Sequence, residues 1–288
     1  MAIRKRHRIL ALLMSEVMSE KGKVVLITGA SRGLGLAIAE HCLSKGMCVY
    51  GTSRNPGRFS DCSFNLLQME VTDSSSVKLA VAQVLDLEGK IDVLVNNAGV
   101  GITGPIEEID LDEVQHHFDV NYRGPLRLIQ SVLPSMRQQG SGMIINITSV
   151  AGTMGLPFRA VYSAAKSALL LSAEALRMEL RPFGVKVTNL VPGDINTDMA
   201  AGRYHAPVIQ NSPYEKLYKK LLNRINQDVN TGSSPEAIAR RVYKIMCKSN
   251  PKLYYTAGPS FQQFAVLLKR VLPSRLFERL MISFQKLD

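Results

Sequence analysis

A chain of 288 residues, 46% hydrophobic and 20% charged, suits one large α/β domain or two small ones and holds ample apolar material for a core. Its four cysteines, Cys42, Cys48, Cys62 and Cys247, form no C-x-x-C pair. Neither they nor His7, His41, His116, His117 and His205 have metal-ligand spacing, so no metal is predicted. No signal-peptide pattern precedes the body of the chain, which predicts reduced thiols and a cytoplasmic setting. The formal net charge of +11 is concentrated. Residues 1–8 carry four basic side chains and no acid, residues 203–252 ten against three, and residues 260–288 five against two. The rest of the chain is slightly acidic and lacks a nucleic-acid-binding motif, so no nucleic-acid partner is predicted. A membrane surface or an anionic substrate fits this distribution, as does a plain solvated basic surface.

Residues 1–20 read as a basic extension. Their apolar run, Ile9 to Met14, is too short to span a membrane. Lys23 to Thr28 is a short β-branched run and predicts a buried strand. Thr28-Gly-Ala-Ser-Arg-Gly-Leu-Gly35 follows, then a helical pattern from Leu36 to Lys45. A glycine-rich turn between strand and helix lets backbone approach a pyrophosphate, which the free N–H groups of the helix start then bind. The G-x-x-x-G-x-G spacing differs from the commoner G-x-G-x-x-G. A second strand, Met47 to Thr52, ends at Ser53-Arg54. Here an NAD site wants an acid for the ribose 2′-hydroxyl and an NADP site an arginine for the 2′-phosphate. No acid lies between Lys45 and Asp61, whereas Arg54 and Arg32 offer two guanidiniums, so NADP(H) is predicted over NAD(H).

A third strand spans Phe64 to Glu70. A helix spans Ser74 to Leu87, with Asp73 as its N-cap. The fourth strand, Ile91 to Val95, ends in Asn96-Asn97-Ala98-Gly99. Asp110 to Gln139 is largely helical and should bend or divide at Pro125 and Pro134. Met143 to Thr148 is a fifth strand, Arg159 to Leu180 a helix, and Val185 to Leu190 a sixth strand that runs into Val191-Pro192-Gly193. Strand–helix alternation predicts an α/β fold of Rossmann type, a doubly wound parallel sheet of about seven strands in a single domain. The domain is assigned to residues 21–258. Residues 200–230, polar and basic with a helix over Tyr214 to Asn226, read as the wall or lid of a substrate pocket. Pro235 to Ser249 is a helix and Lys252 to Thr256 a last short strand. Residues 259–288 form an amphipathic basic tail: Phe261, Phe264, Leu268, Val271 and Leu272 share a stripe, which Leu276, Phe277, Leu280, Met281 and Phe284 continue after Pro273. Peripheral membrane contact, closure of a greasy pocket, a partner subunit and ordinary core packing all fit such a stripe.

The chemistry centres on Ser149 to Lys166. Tyr162 and Lys166, four apart on a helix, share a face. A free phenol has a pKa of about 10, too high for a base near neutrality. A neighbouring ammonium favours the phenolate, and a tyrosine so tuned can exchange a proton with a substrate oxygen. Ser149, at the end of the fifth strand, could hold that same oxygen. Of nine tyrosines, only Tyr162 has a lysine four residues on. A surface Tyr–Lys pair would be the plainer reading if nothing else in the chain agreed.

TGASRGLG at 28–35, NNAG at 96–99, Asn121, Ser149 with YSAAK at 162–166, and PGDINT at 192–197 stand in the order of the short-chain dehydrogenase/reductase family, which the chain resembles over residues 21–258. The resemblance implies an oxidoreductase with Tyr162 as general acid/base. It implies that Lys166 lowers the Tyr162 pKa and binds the nicotinamide ribose, that Ser149 positions the carbonyl or hydroxyl, and that Asn121 holds a relay water. It places Gly29, Ser31, Arg32, Gly33, Leu34 and Gly35 around the cofactor, with Arg54, Glu70, Val71, Asn97, Ala98, Gly99, Pro192, Gly193, Ile195 and Thr197. Glu70-Val71 departs from the more usual Asp-Val or Asn-Val beside the adenine. LPSMRQQGSG, GTMGLPFRAVYSAAK and the basic tail resemble the branch of 17-beta-hydroxysteroid dehydrogenases, retinol dehydrogenases and acyl-dihydroxyacetone-phosphate reductases, which implies a lipophilic carbonyl or alcohol substrate. A homodimer or homotetramer is expected from the family. A non-catalytic NADP(H)-binding sensor, a 3-oxoacyl thioester reductase, and a nucleotide-sugar dehydratase or epimerase are the rival readings.

Overall fold

The computed structural model describes residues 22–59, 61–196, 203–229 and 232–285. The N-terminal extension, Thr197 and parts of the lid segment lie outside the described residues. Seven parallel strands form the central sheet: β1 Val24–Ile27, β2 Cys48–Ser53, β3 Asn65–Gln68, β4 Val93–Asn96, β6 Gly142–Ile147, β7 Val185–Pro192 and β9 Tyr254–Ala257. Their order is β3-β2-β1-β4-β6-β7-β9. The chain builds outward from β1 in one direction and returns at β4 to build in the other. That reversal opens a crevice at the C-terminal ends of β1 and β4, where doubly wound sheets bind ligands.

Both faces of the sheet are covered, as a parallel sheet requires. Alternate β1 residues face opposite ways. Val25 and Ile27 pack with Leu34 and Ile38 of helix α1 (Gly33–Leu43) and with Val242 and Ile245 of a later helix, Pro235–Met246. Val24 and Leu26 pack with Val77 and Val81 of α2 (Ser74–Glu88), with Leu128 and Val132 of Gly124–Gln139, and with Ala173 of Ala160–Glu179. Asp73 caps α2 by accepting from the Ser75 N–H at 2.8 Å.

Three features depart from expectation. The 110–139 helix divides where no proline stands: α3 (Leu111–Phe118) runs into a π-helical turn, Asp119–Arg123, and then α4 (Gly124–Gln139). Pro125 sits in the first turn of α4, where a missing N–H is harmless, and Pro134 lies inside α4 without ending it. Second, two short strands escaped the periodicity: β5 (Ile102–Thr103) and β8 (Tyr204–His205) form a parallel ribbon apart from the main sheet. Third, the tail stripe splits. After α5 (Ala160–Glu179), α6 (Glu215–Val229) and α7 (Pro235–Met246) come α8 (Ser260–Val271) and α9 (Ser274–Gln285). Val266, Leu268, Leu272, Phe277 and Met281 pack on Met154 beside the turn after β6. Phe261, Phe264, Val271, Leu276, Leu280 and Phe284 remain exposed. Each of the two helices thus has one face packed on Met154 and one left exposed, so one stripe on paper becomes two faces in space.

Candidate active site

The turn from β1 into α1 is built for close approach. Gly29 has φ +65° and Gly33 φ +56°, the left-handed region that glycine enters without penalty. A Cβ on Gly35 would overlap the Gly29 carbonyl oxygen and come within 2.6 Å of Asn97 Nδ2. Thr28 Oγ1 accepts from the Asn97 and Ala98 N–H groups at 2.9 Å each, and Asn97 Nδ2 donates to the carbonyls of Thr28 and Gly29 at 2.9 and 3.1 Å. The loop after β4 thereby braces the loop after β1. At the start of α1, Arg32 provides no side-chain cap and the first turn holds no acid, so the helix presents its N–H groups and positive dipole end to the crevice. Small residues and open N–H groups fit a dinucleotide pyrophosphate, and the buried Asn97 Oδ1, an acceptor without a partner, fits a hydroxyl donor such as a ribose.

This cradle is lined by Gly29, Ser31, Arg32, Gly33, Leu34 and Gly35 on one side. Arg54, Glu70, Val71, Asn97, Ala98 and Gly99 complete it. Every cofactor position expected from the first four strands therefore faces one crevice. Arg58 also lines it, a third guanidinium that no spacing rule had singled out. Glu70 accepts from its own turn, the Thr72 N–H at 3.1 Å.

The crevice continues through Leu34, Asn97, Gly99 and Val100 into a second cleft, lined by Asn121, Ser149, Tyr162 and Lys166 and by Pro192, Gly193 and Ile195. Asn121 is fully buried in the π-helical turn. Its Nδ2 donates to Val100 O at 3.0 Å and His117 O at 3.1 Å. The turn has a geometric consequence: a Cβ on Gly99 would stand 2.8 Å from Asn121 Oδ1 and 3.5 Å from Lys166 Nζ, so three distant segments meet at that glycine. Lys166 is buried and its Nζ donates to Ile147 O at 3.2 Å. Desolvation brings its pKa down to about 8.

Burial raises the Tyr162 pKa, against a hydrogen bond from Ser149 and the positive fields of Arg159 and Arg203, which favour the phenolate. The nearby Asp194 adds to the raising. Lys166 stands 5.9 Å from the Tyr162 ring centroid. Lys166, expected to lower the Tyr162 pKa, is not among the groups that shift it; the cations that favour the phenolate are Arg159 and Arg203, which the sequence did not single out. Nor did it single out His117, which is buried edge-on to Tyr162 at 5.8 Å and whose Nε2 donates to Val100 O at 3.1 Å. Desolvation, then Lys166, holds its pKa down to about 4. The only signal for His117 was its helical offset of four residues from Asn121. Arg203 had none.

The profile of the family described as short chain dehydrogenase matches residues 23–207. The chain belongs to the short-chain dehydrogenase/reductase family. A relative from Bacteroides thetaiotaomicron named 3-ketodihydrosphingosine reductase is 36% identical over 89% of this chain and 95% of its own. Human 17-beta-hydroxysteroid dehydrogenase type 1 is 35% identical over 83% of this chain and 78% of its own. A short-chain dehydrogenase structure from Streptomyces avermitilis superposes with a TM-score of 0.76 at 30% identity, over 92% of this chain and all of the other. Two Burkholderia short-chain dehydrogenase structures, each 27% identical, contain NAD in one case and NADP in the other, with TM-scores of 0.74 and 0.72. As a short-chain dehydrogenase/reductase the chain is an oxidoreductase of small-molecule substrates that uses a nicotinamide cofactor. No helix among the described residues is long and apolar enough to cross a membrane.

Proposed function

We propose that the protein is an NADP(H)-preferring oxidoreductase that interconverts a secondary alcohol and a ketone or aldehyde on a lipophilic substrate, with Tyr162 as general acid/base. The observation that carries this reading is the meeting of Asn121, Ser149, Tyr162 and Lys166 on one cleft continuous with the glycine cradle. In the reductive direction the substrate carbonyl oxygen accepts hydrogen bonds from Tyr162 and Ser149. The nicotinamide, when bound, supplies the hydride to the carbonyl carbon. Tyr162 gives its proton to the oxygen as negative charge develops there, and Ser149 steadies the phenolate left behind. The Lys166 ammonium, driven toward its neutral form by burial, gains from any ribose hydroxyl or phenolate that replaces its lost water. Asn121 holds a water that reconnects Lys166 to solvent. The cofactor preference rests on Arg32, Arg54 and Arg58 around the cradle and on the lack of an acid after β2. The lipophilic substrate rests on the apolar group of Ile102, Val161, Ala206 and Tyr218 behind the cleft, against which Phe158 and Tyr162 pack.

The test is turnover of steroid ketones, retinal, long-chain keto-lipids and oxoacyl thioesters with NADPH and NADH. Tyr162→Phe should lower kcat by about 10²–10⁴-fold, with NADPH binding, read by fluorescence titration, within about twofold of wild type. Retained turnover in that variant would sink the mechanism, and equal use of NADH would sink the cofactor preference.

The tail supports peripheral membrane contact. Phe264, Leu267 and Val271 are 54–68% exposed on α8, and Lys269, Arg270, Arg275 and Arg279 stand on the same two helices. Deleting the tail would be a poor test, because Gln262 Oε1 accepts from the Asp194 N–H at 2.8 Å and so ties α8 to the active-site loop. Phe264→Glu with Leu267→Glu should instead abolish flotation with anionic liposomes. Flotation unchanged by that pair, or absent in the wild type, refutes the contact.

A further inference from the structure

Two arginines in the substrate cleft have no assigned work. Arg159 and Arg203 both line it, close enough for the field of each to act on the other and on Tyr162. They come from opposite sides. Arg159 stands at the N-cap position of α5, directly after Phe158, without capping it through its side chain. Phe158 has φ +57°, a left-handed backbone that bulky residues rarely adopt. It is held there by its carbonyl, which accepts from the Gly104 N–H at 2.9 Å, and by stacking on Tyr218 at 5.6 Å. Arg203 enters β8, which is pinned to β5 by Tyr204 N–H to Gly101 O at 2.9 Å and Ala206 N–H to Thr103 O at 2.8 Å. The Arg203 stem lies so close on Gly101 that a Cβ there would meet its Cγ at 2.8 Å.

The field of Asp194 offsets part of this charge, but no acid pairs directly with either arginine among the described residues. Arg203 Nη1 is buried with no hydrogen-bond partner. Two carboxylates are near, Asp194 across the cleft and Glu113 beside the Arg203 side chain, and neither pairs with it. Asp194 is engaged instead by Gln262 Nε2 at 2.5 Å. Holding two guanidiniums together, partly out of water, with an unsatisfied N–H is unfavourable unless an anion completes the site. Forked N–H donors match the oxygens of a carboxylate, phosphate or sulfonate.

We infer that Arg159 and Arg203 form an oxyanion subsite beside Tyr162, and that the substrate is a lipophilic ketone or alcohol bearing a carboxylate, phosphate or sulfonate within a few bonds of the reacting carbon. The inference rests on the oxidoreductase reading only for where the reacting carbon lies. It also gives a physical reason for the strained backbone at Phe158 and for the otherwise isolated β5–β8 ribbon: both aim an arginine.

The test uses matched long-chain ketones that differ only in the group near the carbonyl: hydroxymethyl, amide, carboxylate, phosphate or sulfonate. One anionic class should exceed the neutral pair in kcat/KM by about 10–100-fold, the effect of one or two charge-assisted hydrogen bonds. Which class wins identifies the source of the oxyanion. In Arg203→Gln, and separately in Arg159→Gln, the anionic-to-neutral ratio should fall toward one; the ratio cancels any effect of either arginine on Tyr162. In parallel, octyl phosphate, octanoate and octanol are titrated calorimetrically into protein saturated with NADPH. An octyl anion should bind at least tenfold tighter than octanol, and Arg203→Gln should remove the difference. A neutral-to-anionic ratio near one together with no octyl-anion advantage overturns the subsite, as does a preference that survives both substitutions. If no ketone turns over but the arginine-dependent anion binding is present, the subsite stands and the reaction assigned above falls.

Discussion

The cradle between β1 and α1 and the wall between β5, β8 and α6, assigned above to the cofactor and the substrate, are made differently. The cradle is written in eight consecutive residues, Thr28 to Gly35, and what it offers a ligand is backbone N–H groups that only small residues expose. The wall is made of side chains brought from far apart. Thr103 Oγ1 meets His205 Nδ1 at 2.7 Å across 102 residues, and Tyr218 OH donates to Thr103 O at 2.9 Å across 115. A dinucleotide presents the same pyrophosphate to every protein that binds it, so a local backbone solution suffices. A substrate of particular shape needs a surface assembled from several segments.

That difference is most easily broken at Gly35. A Cβ there has nowhere to go, because the atoms it meets are the Gly29 backbone and the braced Asn97 amide. Gly35→Ala should weaken cofactor binding by at least about 100-fold, the scale of an ångström-sized misplacement in a fitted site. Gly57→Ala, where an added Cβ meets nothing within 4 Å, is the matched control and should leave binding unchanged. Fluorescence titration of NADPH into both variants decides it: a tolerant Gly35 would mean that the cradle yields as readily as the wall.

The same contrast sets what could be read before the structure. The seven main strands, the glycine turn and the Ser149–Tyr162–Lys166 spacing were legible because each follows from local periodicity or a fixed offset along one helix. The π-helical turn at 119–123 was not, since nothing in DVNYR distinguishes it from an α-helical stretch. In it Asn121 Nδ2 reaches Val100 O and His117 O at once, and Val100 lies 21 residues away. β5 and β8, two residues each, carry too little pattern to announce a strand. Arg203 sits in a basic stretch where one arginine looks like another, and only the pairing of β8 with β5 singles it out. The tail stripe was visible, but which of its residues on α8 and α9 would pack on Met154 was not.

His117 sharpens the comparison from the wall side. It is buried, with Nε2 on Val100 O and Nδ1 without a partner, and its pKa is held down to about 4 against an ordinary value near 6.5. The unfolded chain therefore takes up a proton between those values that the native state refuses. Stability contributed by keeping His117 neutral is complete above about pH 6.5 and is lost as pH falls toward 4. At 1.36 kcal/mol per pH unit, the loss by pH 4 is about 3 kcal/mol. His117→Gln keeps a donor for Val100 O and removes the titration, so its urea-unfolding free energy should fall less between pH 6.5 and 4 by about that amount. Parallel curves for the two proteins would show that His117 already has access to water and that the floor of the cleft is looser than its packing implies.

The smallest effect is the most discriminating for the cradle. Backbone donors would meet only the pyrophosphate shared by both nicotinamide dinucleotides, so the proposed preference for NADPH falls to side chains at the end of β2. Arg32, Arg54 and Arg58 share that edge of the crevice and all three are exposed, so each alone acts through a well-hydrated guanidinium. Arg54→Ser should raise the NADPH KM by about tenfold, the loss of one charge-assisted hydrogen bond, and leave the NADH KM within about twofold. Arg54→Ser with Arg58→Ser should widen the gap further if both arginines reach the 2′-phosphate. An equal rise for both cofactors would place Arg54 on the shared pyrophosphate, and then the choice between NADPH and NADH would have to be made by the remaining pair, Arg32 and Arg58.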